Sequence, residues 1–140
     1  MRSLILALAL STAAAPLAAQ TDFTTPEGAA MIHQSIKDQI LAFRPDGDLD
    51  YIYFTAVLGW RCGVSALYYG FNDEPVATPF PLEPCHRDLR NPNTMTGDMS
   101  QYPIFITVPK GSAEKVVLRV VYDNGAEAMF ESPRAKNLVN

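Results

Sequence analysis

The chain has 140 residues and a formal net charge of −4, and 48% of its residues are hydrophobic. This length corresponds to one domain that can bury roughly two thirds of its unfolded surface. The acidic balance, without a dense cluster of Lys and Arg, argues against nucleic acid or an anionic membrane surface as a partner.

Residues 1–20 are typical of an export signal. Arg2 provides the positive start, Leu4–Ala15 the short apolar run and Pro16–Ala19 the exit of mostly small residues. The run is shorter than the roughly 20 residues that a membrane-spanning helix needs. We therefore expect a periplasmic or secreted protein with a single mature domain, residues 21–140, and no membrane span. Its charge becomes −5, because the signal removes one basic residue and no acidic residue.

The first predicted element is one amphipathic helix over residues 26–43. Thr25, Pro26 and Glu27 form the usual opening, with an N-cap, a first-turn proline and an early acidic residue. Apolar residues recur at three- and four-residue spacing on one face, and His33 is expected at the edge of the polar face. We place the end before Pro45, because the residue preceding a proline is pushed out of helical geometry.

Strand periodicity begins at Asp50. Alternating apolar residues predict a first strand over residues 50–60 and a second over 62–71, although either face of the second could be the buried one. Further strands are predicted over 104–108, 115–122 and 126–131.

The last two strands are predicted to pair through a three-residue loop, Asp123-Asn124-Gly125, with Gly125 left-handed. This register places Leu118 and Phe130 on one apolar face. It leaves Arg119 diagonal to Glu127 and Glu131, whereas a slip of one residue would bury charge.

The segment 72–103 is predicted to be a long irregular loop. It contains six of the eleven prolines, so that at most a short edge strand near residues 76–82 is expected. Two cysteines in an exported chain predict one disulfide, between Cys62 and Cys85. The bridge would hold the middle of this loop, and we therefore expect the loop to be ordered.

These elements predict an α+β, mainly β fold. We expect an antiparallel β-sandwich of the immunoglobulin- or fibronectin-like topology class, with about six strands over residues 50–133 preceded by the helix. The alternative is a helix packed across a single antiparallel sheet. A true immunoglobulin domain is not expected, because Trp60 lies before the cysteine pair rather than within it.

Candidate thiol and metal chemistry is weakly supported. A Cys85–His86 dyad needs a free thiolate, which a disulfide removes. A zinc site from Cys62, Cys85, His86 and His33 has suitable ligand types, but adjacent residues rarely reach one tetrahedral centre. We expect no metal and no cofactor.

Carboxylates suggest two further possibilities. Asp46–Asp50 resembles the opening of a calcium loop but lacks the glycine and glutamate that should follow, and we interpret it as a solvated connection. Glu83 and Asp88 flank the bridge. They are candidates for a hydrolase pair, with solvation of the loop as the simpler interpretation.

The basic cluster on the tethered loop is the main functional candidate. His86, Arg87 and Arg90 could grip a protein, carbohydrate or anionic ligand of the envelope, with Phe80 or Tyr102 as apolar neighbours. The alternative is a local Arg–Asp pair that only holds the loop.

We therefore favour an exported, non-catalytic binding or accessory module. A small periplasmic carboxylate-dependent hydrolase would instead show two converging carboxyls, one with a raised pKa. An envelope assembly subunit would show an unpaired strand edge or a large apolar patch.

Overall fold

The computed structural model describes residues 20–140, so the predicted export signal lies outside the described residues apart from Gln20. Within that range, seven strands form two antiparallel sheets. The mainly β, sandwich-like prediction is confirmed, and the single-sheet alternative is wrong. Among these residues, no helix combines the length and hydropathy that crossing a membrane requires.

The three-stranded sheet has the spatial order β1-β2-β5, and the four-stranded sheet has the order β4-β3-β6-β7. The strands are β1 (Ala42–Asp46), β2 (Leu49–Tyr53), β3 (Val64–Phe71), β4 (Thr78–Pro79), β5 (Phe105–Pro109), β6 (Lys115–Tyr122) and β7 (Glu127–Pro133). The helices are α1 (Pro26–Ser35) and the short α2 (Thr55–Leu58), with 3-10 turns at Lys37–Gln39 and Arg134–Lys136.

One hydrophobic core takes side chains from both sheets and from α1. Burial alternates along β6, where Val116, Leu118 and Val120 are fully buried and the residues between them are only partly buried. On β3, Leu67 is buried and Tyr69 packs against the core, which settles the face that the sequence left open. A register shift between Val64 and Ala66 accompanies the start of that strand.

Helix α1 begins as predicted but ends earlier than predicted. The Thr25 hydroxyl accepts the Gly28 N–H at 3.1 Å, which caps the first turn. The helix stops at Ser35 rather than at residue 43, and Phe43 lies in β1. The N–H of Phe43 donates to Asn137 on the side away from β2, at 2.8 Å. The backbone nitrogen of Pro45, two residues further on, faces that same side. The missing N–H of the proline therefore removes no hydrogen bond between β1 and β2.

His33 lies on the core side of α1. It is 0% exposed, so its expected place at the edge of the polar face is wrong. Its Nδ1 lies 3.1 Å from the Tyr122 hydroxyl of β6. The imidazole is therefore a core group that joins the helix to the four-stranded sheet.

The predicted strand over residues 50–60 is also shorter. β2 ends at Tyr53 and α2 follows at once. The buried residues Phe54, Val57 and Leu58 are spaced three and four apart, which suits a helical turn. Phe54 and Leu58 also fit the two-residue alternation of a strand. For that reason the sequence pattern predicted a strand where the chain forms α2.

The acidic segment Asp46–Asp50 forms the hairpin between β1 and β2, with Gly47 at φ 57°. Asp50 is 0% exposed, so its interpretation as a solvated residue is wrong. Arg134 donates to both of its carboxylate oxygens, at 2.7 and 2.9 Å. The Gly111 N–H donates at 2.8 Å as well, so the side chain joins three separate segments.

The β6–β7 register is confirmed. Leu118 pairs with Phe130, and Gly125 takes φ 83° in the three-residue loop. Arg119 lies 3.8 Å from Glu127, whereas Glu131 pairs instead with Lys115 at 3.3 Å. The predicted short edge strand is also present, as β4.

Candidate functional site at the disulfide end

The predicted disulfide joins Cys62, just before β3, to Cys85 in the Pro-rich loop, with an S–S distance of 2.15 Å. Neither sulfur is then free to act as a nucleophile or a metal ligand. No group of three or more His, Cys, Asp or Glu side chains within residues 20–140 is arranged to hold a metal ion.

Arg61, next to the bridge, is the organising side chain of the loop and is only 1% exposed. Its guanidinium donates to the Glu83 and Pro84 carbonyls at 2.7 and 3.0 Å. It also donates to the carbonyls of Asn93 and Thr94. One side chain therefore ties together the two limbs of the loop. Burial lowers its pKa, and the charge of Glu83 opposes that shift.

Glu83 is buried beside Arg61, and one of its carboxylate oxygens accepts several hydrogen bonds. One carboxylate oxygen accepts from His86 Nε2 at 2.7 Å, from the Thr96 N–H at 2.9 Å and from the Thr96 hydroxyl. Burial opposes ionisation, but these donors and Arg61 outweigh it and lower the pKa of Glu83 to about 2. The expectation that Glu83 solvates the loop is wrong, and its pKa moves away from that of a general acid.

Further backbone bonds close the loop tip, residues 86–92. The His86 N–H donates to Pro92 at 2.9 Å, and the Leu89 N–H donates to His86 at 3.0 Å. Asn93 is buried below the tip, and its side-chain oxygen accepts the Cys62 N–H at 2.7 Å. The two ends of the tip are thus joined by the His86–Pro92 backbone bond, and buried Asn93 ties the second end to Cys62.

The predicted binding residues are only partly brought together. Arg87 and Arg90 are exposed on the tip, and His86 beside them is half-buried. Phe80 is 3% exposed and stacks on Phe54, with ring centres 4.1 Å apart, so its expected place at the surface is wrong. Tyr102 is partly buried, and no described contact of its side chain joins it to the arginines.

The alternative interpretation, a local pair of Arg87 or Arg90 with Asp88, is not found: within the described residues, neither arginine lies within 4 Å of that carboxylate. Arg87 reaches instead to the Thr24 carbonyl, at 3.4 Å. The N-terminal segment therefore lies against the loop tip, an arrangement that the sequence reasoning missed.

Trp60 and Phe23 complete this end of the molecule. Their rings meet edge to face with centres 5.8 Å apart, and Phe23 is 37% exposed. The N-terminal segment is packed closely here, because a Cβ at Gly63 would lie 2.6 Å from the Thr25 backbone. We name Phe23, Trp60, Arg87, Leu89 and Arg90 the disulfide-end surface.

The sequence contains only slight signals for the site residues that the prediction missed, Arg61, Trp60 and Phe23. Arg61 is a lone charge in an apolar stretch, and Trp60 precedes it. Nothing in the pattern shows that Phe23 reaches the same place. No family model, curated protein or solved structure matches the chain.

Proposed function

We propose that this protein is an exported, non-catalytic binding module that recognises an acidic partner through the disulfide-end surface. The observation that carries the proposal is the buried Arg61 guanidinium, which bonds carbonyls on both limbs of the loop. The tip is therefore ordered before any partner arrives. Preordering removes part of the entropic penalty of association.

The composition of the surface supports recognition. Tryptophan and arginine are the residues that most often dominate binding energy at protein interfaces. Leu89 is 38% exposed beside the two arginines. Neither Arg87 nor Arg90 lies within 4 Å of a carboxylate in residues 20–140, although the charge of Arg87 is one of the smaller causes that lower the pKa of Asp22. In an acidic protein, two such guanidinium groups favour carboxylates or other anions on the partner.

The hydrolase alternative receives less support. It requires a carboxyl group that stays protonated near neutral pH. The pKa of Glu83 is lowered to about 2, and Asp88, the other candidate carboxyl, is exposed on the loop tip. Within residues 20–140, the carboxylate of Glu83 contacts Arg61, His86 and Thr96 and makes no hydrogen bond to Asp88.

The proposal is tested with the double substitution Arg87→Ala/Arg90→Ala. Crosslinking in intact cells followed by mass spectrometry identifies partners of the natural protein. We expect the double variant to lose at least about tenfold in capture, with its melting temperature nearly unchanged.

The matched control is Arg44→Ala/Lys110→Ala, which removes the same charge from another face and should retain capture. Unchanged capture by the Arg87/Arg90 variant, with stability lower by more than about 1 kcal/mol, would show that these arginines are structural.

Export is the second part of the proposal. A disulfide is compatible with an oxidising compartment, and residues 1–20 have the pattern of a signal peptide. We expect the mature chain to begin near Gln20 or Thr21. N-terminal sequencing of protein from cells measures this directly, and a mature species that still carries residues 4–10 would contradict it.

A further inference from the structure

The free edge of β7 presents unpaired backbone groups. The Tyr122 N–H donates to Ala126 and the Arg134 N–H donates to Glu114, each at 2.8 Å. Because bonded residues alternate in an antiparallel ladder, the N–H and C=O groups of residues 127, 129 and 131 point away from β6. Within residues 20–140 they make no hydrogen bond.

A groove follows this edge. Gln34, Lys37 and Asp38 line it with Met129–Glu131, and this part has a volume of about 340 Å³. The groove continues past Glu131 to Pro133 and Lys136 with a further volume of about 630 Å³. The groove therefore runs beside two of the three residues with unpaired groups, Met129 and Glu131.

Charge on the edge disfavours a second copy of this chain as the occupant. Glu127 and Glu131 are exposed on either side of Met129, which is itself 54% exposed. Two copies could pair their β7 edges antiparallel about a two-fold axis at Met129, so that residues 127, 129 and 131 of each copy took part. Glu127 of each copy would then face Glu131 of the other. Like charges placed directly opposite are destabilising, and charged edge residues commonly block self-pairing.

We propose that the β7 edge binds an extended segment of a partner protein with basic side chains at alternate positions. The segment adds a fifth strand to the four-stranded sheet. Three N–H and three C=O groups of β7 are offered for backbone hydrogen bonds. Lys or Arg side chains on the exposed face would lie beside Glu127 and Glu131, where they would share these carboxylates with Arg119 and Lys115, at 3.8 and 3.3 Å. This site is separate from the disulfide-end surface and does not depend on it.

The test uses Met129→Pro and Met129→Ala. The Met129 N–H points away from β6, so proline removes a donor from the free edge while leaving the β6–β7 bonds in place. Alanine keeps the donor and is the matched control. The probe is a fluorescent peptide of about nine residues with alternating Thr and Lys, and its partner probe has Glu in place of Lys. Binding is measured by anisotropy.

We expect the Lys peptide to bind the natural protein and Met129→Ala alike, and Met129→Pro at least about tenfold more weakly. Circular dichroism checks that each variant is folded. The double variant Glu127→Lys/Glu131→Lys should prefer the Glu peptide, and this result decides the matter if the proline variant does not fold.

Three results would overturn the proposal. The first is no saturable binding of the Lys peptide up to about 1 mM. The second is equal binding by folded Met129→Pro, which would indicate general attraction to an acidic protein. The third is a concentration-dependent dimer in sedimentation that Met129→Pro abolishes, which would assign the edge to a second copy.

Discussion

The guanidinium of Arg61 and the carboxylate of Glu83 lie 4.0 Å apart in the interior, while Arg61 Nε donates to the backbone carbonyl of Glu83 at 2.7 Å. The same arginine therefore neutralises the side chain and holds the backbone of one loop residue. Removing either partner of such a buried pair leaves the other uncompensated.

Replacing Arg61 with Leu should lower the free energy of unfolding by about 3–5 kcal/mol, because Glu83 keeps its charge and four loop carbonyls lose their donor. Arg61→Lys should not restore stability, since an ammonium group cannot span both limbs of the loop. Urea denaturation measures both variants. A loss below about 1 kcal/mol in Arg61→Leu would mean that the loop does not depend on this residue.

The disulfide should stabilise the protein chiefly by restricting the unfolded chain. Cys62→Ser and Cys85→Ser should each lower the free energy of unfolding by about 2–4 kcal/mol, and by similar amounts. Guanidinium unfolding provides the comparison. Thiol titration of the unfolded, unreduced natural protein is the control and should find no free thiol.

The Asp50–Arg134 pair should respond unequally to its two substitutions. Arg134→Ala leaves a fully buried carboxylate without its cation, for which we expect a loss of about 3–5 kcal/mol. Asp50→Asn removes the charge but keeps hydrogen-bonding capacity, and should lower stability by about 1–3 kcal/mol. Thermal or urea unfolding ranks the two. The reverse order would show that the carboxylate is not held by Arg134.

His33 should make stability depend on pH. Burial lowers its pKa from 6.5, although the nearby backbone of Val57 and Trp60 partly opposes the shift, and its Nε2 makes no hydrogen bond within the described residues. The unfolded chain then binds the proton more readily than the folded protein does. The contribution of neutral His33 to the free energy of unfolding should be fully present above pH 6.5. It should decrease as the pH drops below that value.

Urea unfolding at a series of pH values tests this for the natural protein and for His33→Gln. The amide of the variant can still bond to Tyr122, whose phenol stays protonated because burial raises its pKa to about 12. The variant should lose the part of the slope that begins near pH 6.5. Identical slopes would exclude His33 as its origin.

Local chemistry was sufficient to predict several features from the sequence. Thr25 and Pro26 specify the helix start, and Gly125 specifies the loop that sets the β6–β7 register. The cysteine count specified the bridge, because only two cysteines are present. In each case the information lies in residues close together in the chain, or has only one solution.

Tertiary contacts decided the rest. Phe43 lies in a strand because β1 pairs with β2, and Asn137, far along the chain, accepts its N–H on the other side. Arg61 and Glu83 became the interior of the loop because the bridge brings segments more than twenty residues apart into contact, where burial makes their charges pair. Phe80 moved from the expected surface into the core because a ring can stack on Phe54 there. Sequence periodicity indicates which residues are apolar, but it does not indicate which distant segment packs against them. The site is formed by such contacts between distant segments.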